Sequence, residues 1–232
     1  DRRAADSEKS VTTIVVTGNV TSYGPMWKLL DDCRADLWGV QETHMDDILV
    51  VENATKKLKM MGKDAAFGKA RLTGEGGSSG GVGIIANPGH DLAELQPLPS
   101  GTIEMPEEHR FAARVWGGVL PYGILIITLY LITGIGLDYA NEVLLDKIGQ
   151  LIRAYGIPYI IMGDWQISPE DLFRSGWTMG IKGIIAHGGD VPTCISSRAR
   201  SVIDYFVVDE RVANLVKRCR VLTECGAVKP HR

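Results

Sequence analysis

Short apolar runs alternate with helical patterns along most of this chain. Thr12–Thr17 (TTIVVT) is rich in β-branched residues and predicts a strand. Pro25–Arg34 predicts a short helix with Pro in its first turn, and Leu37–Val40 a second strand. Asp46–Met61 has a helical pattern that ends at Gly62, a good C-terminal stop. Arg71–Gly81 (RLTGEGGSSGG) predicts a mobile loop leading into a strand at Val82–Ala86. Phe111–Trp116 and Ile124–Ile132 predict strands, the second of them central. Asn141–Tyr155 is the clearest helix: Leu144, Ile148, Leu151 and Tyr155 recur at spacings of four, three and four on one apolar face. Ile157–Met162 predicts a buried strand, and Ser168 an N-cap with Pro169 at N1 and acids in the first turn. Val202–Val208 and Arg220–Thr223 predict the last strands.

Strands outnumber helices, and helices join many of them. No repeat or interdomain linker breaks the pattern. A layered α/β arrangement with mixed strands and one core follows. Residues 1–10 are polar and are expected to be a disordered lead-in with no signal peptide, and 11–232 a single domain. The uncharged stretch Gly117–Leu137 is long enough to cross a bilayer, but Pro121, several glycines and β-branched residues favour a buried strand between turns. No membrane span is expected.

Composition narrows the picture further. Hydrophobic residues are 45% and charged residues 23% of 232, enough for a sizeable core. The net charge of −3 neither supports nor excludes a nucleic-acid partner. Cys33, Cys194, Cys219 and Cys225 form no CxxC pair and are too few for a disulfide framework, so reduced thiols and an intracellular, reducing compartment are expected. No HExxH, CxxC or P-loop is present, which leaves zinc protease, zinc finger and NTP-binding readings without support.

Candidate chemistry sits where strands end. Asn19 follows TTIVVTG, Glu42 follows LWGVQ, and Asp164 follows IPYIIMG. Ligand sites gather at strand ends in layered α/β folds, although Asn and Asp are also good turn residues. Asp204 stands out, because alternation in SVIDYFVV puts it on a face with Val202, Phe206 and Val208. A carboxylate there needs a cation, a metal or a hydrogen-bond donor.

Taken in order, Asn19 in TGNV, QETH at Gln41–His44, GDW at Gly163–Trp165, S-x-IDYF at Ser201–Phe206 and a final PHR resemble the signature of the endonuclease/exonuclease/phosphatase superfamily. The resemblance runs from about Val11 to His231 and is nearest in feel to the endonuclease domains of non-LTR retroelements. It implies a four-layer sandwich of two packed mixed β-sheets flanked by helices. It implies that Asn19 organises the metal and the catalytic acid, that Glu42 is the main metal ligand, and that Tyr130 contacts phosphate. Asp164 then orients or deprotonates water, and Asp204 holds His231 against the phosphate. Asp164 and Asp204 join Glu42 as metal-ligand candidates, and Thr193 and Ser201 as supporting hydrogen-bonders. The cofactor implied is Mg²⁺ or Mn²⁺, and the partner a nucleic acid.

The chemistry accounts for such a set. A hard divalent cation screens an anionic phosphodiester and its leaving oxygen. A positioned base activates water by roughly 10²–10⁴-fold, and an imidazolium or amide donor stabilises the transition state.

Four positions depart from the family pattern. Gln166 stands where GD-x-N has Asn, Pro230 replaces the acid before the last His, Thr21 replaces an acid near the first strand, and Thr133 stands where Asn follows the Tyr. Two main readings therefore stay open. One is a Mg²⁺-dependent endonuclease, weakened or not; the other is an inactive relative kept as a structural or protein-interaction subunit of a larger assembly. Another phosphoesterase activity is a third. The chain stops just after His231, so a missing final strand is also expected.

Basic residues cluster at Lys56–Arg71 and again at Arg198–Arg220, as phosphate contacts or as solvated faces. Arg198, Arg200 and Trp165 are the substrate-contact candidates, and His44 a supporting one.

Overall fold

The computed structural model describes residues 12–74, 76–97, 104–195 and 200–222. The chain runs through β1 (Val15–Asn19), α1 (Tyr23–Asp32), β2 (Leu37–Gln41), α2 (Ile48–Met60) and β3 (Asp64–Gly68). A small ladder of β4 (Arg71–Leu72) and β5 (Ser78–Ser79) precedes β6 (Val82–Ala86), β7 (Leu92–Ala93), β8 (Phe111–Trp116) and β9 (Ile124–Tyr130). Then come α3 (Tyr139–Tyr155), β10 (Tyr159–Asp164), α4 (Pro169–Arg174), α5 (Trp177–Gly180) and β11 (Gly183–Ala186). The series ends with β12 (Cys194–Ile195), β13 (Arg200–Ser201) and β14 (Asp204–Asp209).

One sheet has the order β1-β2-β6-β3 and the other β11-β14-β10-β9-β8-β7. Both are mixed: β1 with β2 and β9 with β10 are parallel, the remaining neighbours antiparallel. The sheets pack face to face through Leu37, Val82 and Ile84 on one side and Ile126, Tyr130 and Met162 on the other. Outside the first sheet, Met26, Leu29 and Leu58 of α1 and α2 cover Val16, Trp38 and Val40. Outside the second, the predicted apolar face of α3 (Leu144, Ile148, Leu151) covers Leu125, Ile127 and Ile161. The result is the expected α/β sandwich of four layers.

Strand β2 approaches β10 closely because Gly39 has no side chain; a Cβ there would lie 2.8 Å from the Met162 side chain. Beside that contact, the buried Gln41 amide donates to Thr128 Oγ1 at 2.8 Å and Thr17 Oγ1 at 3.1 Å. This polar tie spans the two sheets and fixes how their ends meet.

Most element positions follow the apolar pattern, with a few corrections. Residues 220–222 form no strand, and Thr223 lies outside the described residues. Arg71–Gly81 is a hairpin rather than a loose loop: Gly81 donates from its backbone to His109 O, while Gly80 and Gly81 accept from His44 and Thr43. Within Gly117–Leu137 lies β9, buried at every position, and among the described residues no helix is long and apolar enough to cross a membrane.

Candidate active site

Three strands of the larger sheet end side by side. Tyr130 on β9 is the register partner of Asp164 on β10, and Asp164 that of Asp204 on β14. Register partners point to one side of a sheet, so the three form a row. The first sheet brings Asn19, at the end of β1, to the same edge. Asn19 Nδ2 donates to Asp164 Oδ2 at 2.7 Å across the interface. Strand ends far apart in sequence are thus joined by one buried hydrogen bond.

The backbone around this edge is strained. Thr21, Glu42, His44 and Gln166 all hold φ between 53° and 55°. Lys182 is the one other non-glycine in the left-handed region among the described residues. Each costs roughly 1–2 kcal/mol for an L-residue and needs local support. Asn19 Oδ1 accepts from Thr21 N at 2.9 Å. The hairpin glycines hold the backbone of Thr43 and His44. Gln166 is held through its own side chain, which donates to Asp164 Oδ1 at 2.7 Å and Oδ2 at 2.8 Å. Four of these five strained residues fall at strand ends that carry acids and amides, and strain that clusters in this way is a property of functional sites more than of cores.

The left-handed turn at Glu42 aims its carboxylate at the row. The Tyr130 hydroxyl hydrogen-bonds Glu42, and burial with that carboxylate keeps the phenol protonated well above its usual range. Thr133 Oγ1 lies 3.1 Å from the same hydroxyl. Thr193 Oγ1 accepts from the backbone of Ile203 and Asp204 and hydrogen-bonds the Asp204 carboxylate. Asp204 Oδ1 is sealed from solvent and has no hydrogen-bond partner among the described residues. Burial, and then the negative charge of Glu42, push Asp204 up to about 6 against the opposing Thr193 bond.

These observations bear on a metal. Among the described residues, no three His, Cys, Asp or Glu side chains converge to hold an ion by themselves. What is present is Glu42 facing a row of acids, one of which holds a sealed, unpartnered oxygen. Hard oxygen donors of this kind suit a divalent cation that keeps most of its waters and takes one or two carboxylates. A closed protein cage, as for structural zinc, is not what this donor set resembles.

Other expected site residues fall elsewhere. Trp165 has no exposed surface; it stacks on Tyr205 at 5.1 Å, donates to Tyr205 O, and lies in the α3 core. It therefore has no face to offer a substrate. Ser201 is half-buried on β13 beside Cys194, and Arg200 is exposed on the same strand. His44 turns toward the hairpin, with Nδ1 3.2 Å from Ser78 Oγ. His231, Pro230 and Arg198 lie outside the described residues. Of the basic clusters, Lys57 covers Trp27, Lys63 covers Trp38 and binds Asn87, and Arg211 is paired with Asp209.

One contributor had no sequence signal beyond its place at a strand start. Arg110, just before β8, sets its guanidinium 5.1 Å from the Tyr130 ring and donates to Tyr130 O at 3.5 Å.

No protein-family model and no curated protein sequence matches the chain. Solved structures do. The catalytic domain of human Nocturnin with bound sulfate superposes with a TM-score of 0.60 at 13% identity, covering 85% of this chain and 82% of that one. A mannosyl-6-phosphatase from Bacteroides thetaiotaomicron gives 0.54 at 15% identity over 86% of each chain. An endonuclease/exonuclease/phosphatase family protein from the same organism gives 0.51 at 15% identity over 86% of this chain and 84% of that one. The chain has the endonuclease/exonuclease/phosphatase fold.

Proposed function

We propose that this chain is a metal-dependent phosphodiesterase that cuts nucleic acid internally, with Mg²⁺ or Mn²⁺ as its cofactor. The observation that carries the reading is the Tyr130–Asp164–Asp204 row, tied by Asn19 to the opposite sheet and faced by Glu42. When bound, the cation screens the phosphate charge and the leaving oxygen. Glu42 holds it. Asp164, oriented by two amides, takes the proton of the attacking water. The Tyr130 hydroxyl, bonded to Glu42 in this structure, would turn to a non-bridging oxygen once Glu42 takes the cation, and Asp204 would steady His231 as the resemblance implies. The phosphatase activity named for one structural neighbour, and the tetrahedral anion bound to another, support phosphate as the group handled. Nucleic acid as the substrate rests on the sequence resemblance.

One observation favours a second reading, an inactive relative kept as a binding subunit. Asp164 has no exposed surface, and Gln166 occupies both of its oxygens. Nicking of supercoiled plasmid with and without Mg²⁺ separates the two. Metal-dependent nicking that is lost in Glu42→Ala and in Asp164→Ala supports the enzyme. Wild type and both variants being equally silent, or equally active, removes it.

A further inference from the structure

A groove of about 620 Å³ runs between the β4–β5 hairpin and the first turns of α3. That is within the roughly 300–1,000 Å³ common for ligand clefts. It begins at the site, because Arg110 both lines the groove and covers the Tyr130 ring. Arg71 stands beside it on the hairpin.

Charges in the groove are unevenly matched. Lys147 pairs with Glu104 at 2.8 Å. Glu107 lies 3.3 Å from His109, an imidazole that burial keeps toward its neutral form, so the Glu107 charge is felt by Arg110. Arg71 and Arg110 form no ion pair among the described residues. Arg71 is exposed, while Arg110 also donates to Tyr130 O and feels the Glu107 and Glu42 carboxylates. Arg71 is thus the freer of two guanidiniums beside the catalytic edge, and guanidinium geometry suits phosphate. Farther along, the walls turn apolar and aromatic. Leu72 is 66% exposed and Tyr139 77% exposed, unusual for side chains that line a concavity. Asp138 Oδ1 accepts from Tyr139 N at 2.7 Å, which places Tyr139 at the start of α3 with its ring open to solvent.

Phosphate-binding groups followed by an open aromatic face match the order of parts in a nucleotide. An aromatic ring stacks on a base only when that base is out of a duplex. We propose that this groove seats one nucleotide flanking the scissile phosphate of a single-stranded nucleic acid, with its phosphate at Arg71 and Arg110 and its base on Tyr139 and Leu72. The proposal rests on the nucleic-acid reading above and narrows it to single strands.

The test is fluorescence anisotropy of a short labelled single strand and of a hairpin duplex, both in EDTA so that no cleavage intervenes. Tyr139→Ala is expected to weaken single-strand binding by roughly 5- to 100-fold, the range of one lost base stack. It should change duplex binding by less than about twofold on the same stacking argument. Arg71→Glu is expected to weaken both and to flatten the salt dependence. Tyr122→Ala, which removes a ring 83% exposed elsewhere, should change neither. No single-strand binding by wild type, an unchanged affinity in Tyr139→Ala, or an equal loss on duplex overturns the groove. Hydrolysis of bis(4-nitrophenyl) phosphate by wild type with Mg²⁺ gauges the catalytic reading separately. Hydrolysis without the Tyr139 effect sinks the groove alone; the Tyr139 effect without hydrolysis sinks the catalysis alone.

Discussion

The side-chain amide of Gln166 donates to both carboxylate oxygens of Asp164, at 2.7 and 2.8 Å. An Asn two residues after the Asp would be one methylene shorter. The longer side chain reaches back because its own backbone is left-handed, with φ 53°. It supports Asp164 as an amide should, and it also covers it. Whether a water can meet Asp164 depends on that cover.

Gln166→Asn tests the cover directly. Asn tolerates left-handed backbone better than most residues, so folding stability should change by no more than about 1 kcal/mol. The shorter amide cannot span both oxygens. If Gln166 blocks water, plasmid nicking with Mg²⁺ should rise by about 10-fold or more, since misplacement near 1 Å can cost about 10²-fold. A slower variant would instead make Gln166 a necessary positioning residue.

Metal binding should show up in stability through Glu42. A cation that binds the folded chain raises its melting temperature as its concentration rises above Kd. Wild type should therefore melt higher with Mg²⁺ than with EDTA, by differential scanning fluorimetry. Glu42→Gln should erase that difference, because the carboxylate that faces the row is gone. An equal Mg²⁺ effect in both proteins would move the metal away from Glu42.

Asp204 predicts an inverted pH response. Its folded-state pKa, about 6, lies above the ordinary aspartate value, chiefly through burial. Such a group adds stability that is complete below the unfolded pKa and is lost as pH rises through about 6. In EDTA, Asp204→Asn should keep the Thr193 contacts and remove the charge. The variant should then melt above wild type at pH 8 and close to it near pH 4. A lower melting temperature at pH 8 would mean that the ionised carboxylate has a stabilising partner.

Much of this was legible in the chain, for reasons that can be named. Apolar runs such as Ile124–Tyr130 are buried on both faces and announce themselves without tertiary information. The i, i+4, i+7 face of α3 does the same. Asp204 was conspicuous because alternation placed a charge among apolar residues. Arg110 was not, since nothing in its neighbours says that β8 starts beneath the Tyr130 ring. The left-handed turns at Thr21, Glu42, His44 and Gln166 were equally hidden, because none of these residues is a glycine. Trp165 misled for a related reason: successive residues past a strand end can point to opposite sides, and Asp164 faces the opposite sheet while Trp165 faces α3.

Asn141 offers a last test, one that separates scaffold from chemistry. It is fully buried in the first turn of α3. Its Oδ1 accepts from Ile132 N at 2.8 Å, and its Nδ2 donates to Ile132 O at 3.2 Å and Gly136 O at 2.7 Å. These bonds hold the loop between β9 and α3, which carries Thr133 against the Tyr130 hydroxyl. Asn141→Ala leaves three backbone groups without their partner, at roughly 1–3 kcal/mol for each that water cannot reach. The urea midpoint should fall by an amount worth about 2–4 kcal/mol with the slope unchanged, as for a loss confined to the native state. Thr133→Ala touches the same hydroxyl but none of these backbone groups, so its midpoint should shift by less than about 1 kcal/mol. Equal shifts in the two variants would show that the loop is held by its packing and not by Asn141.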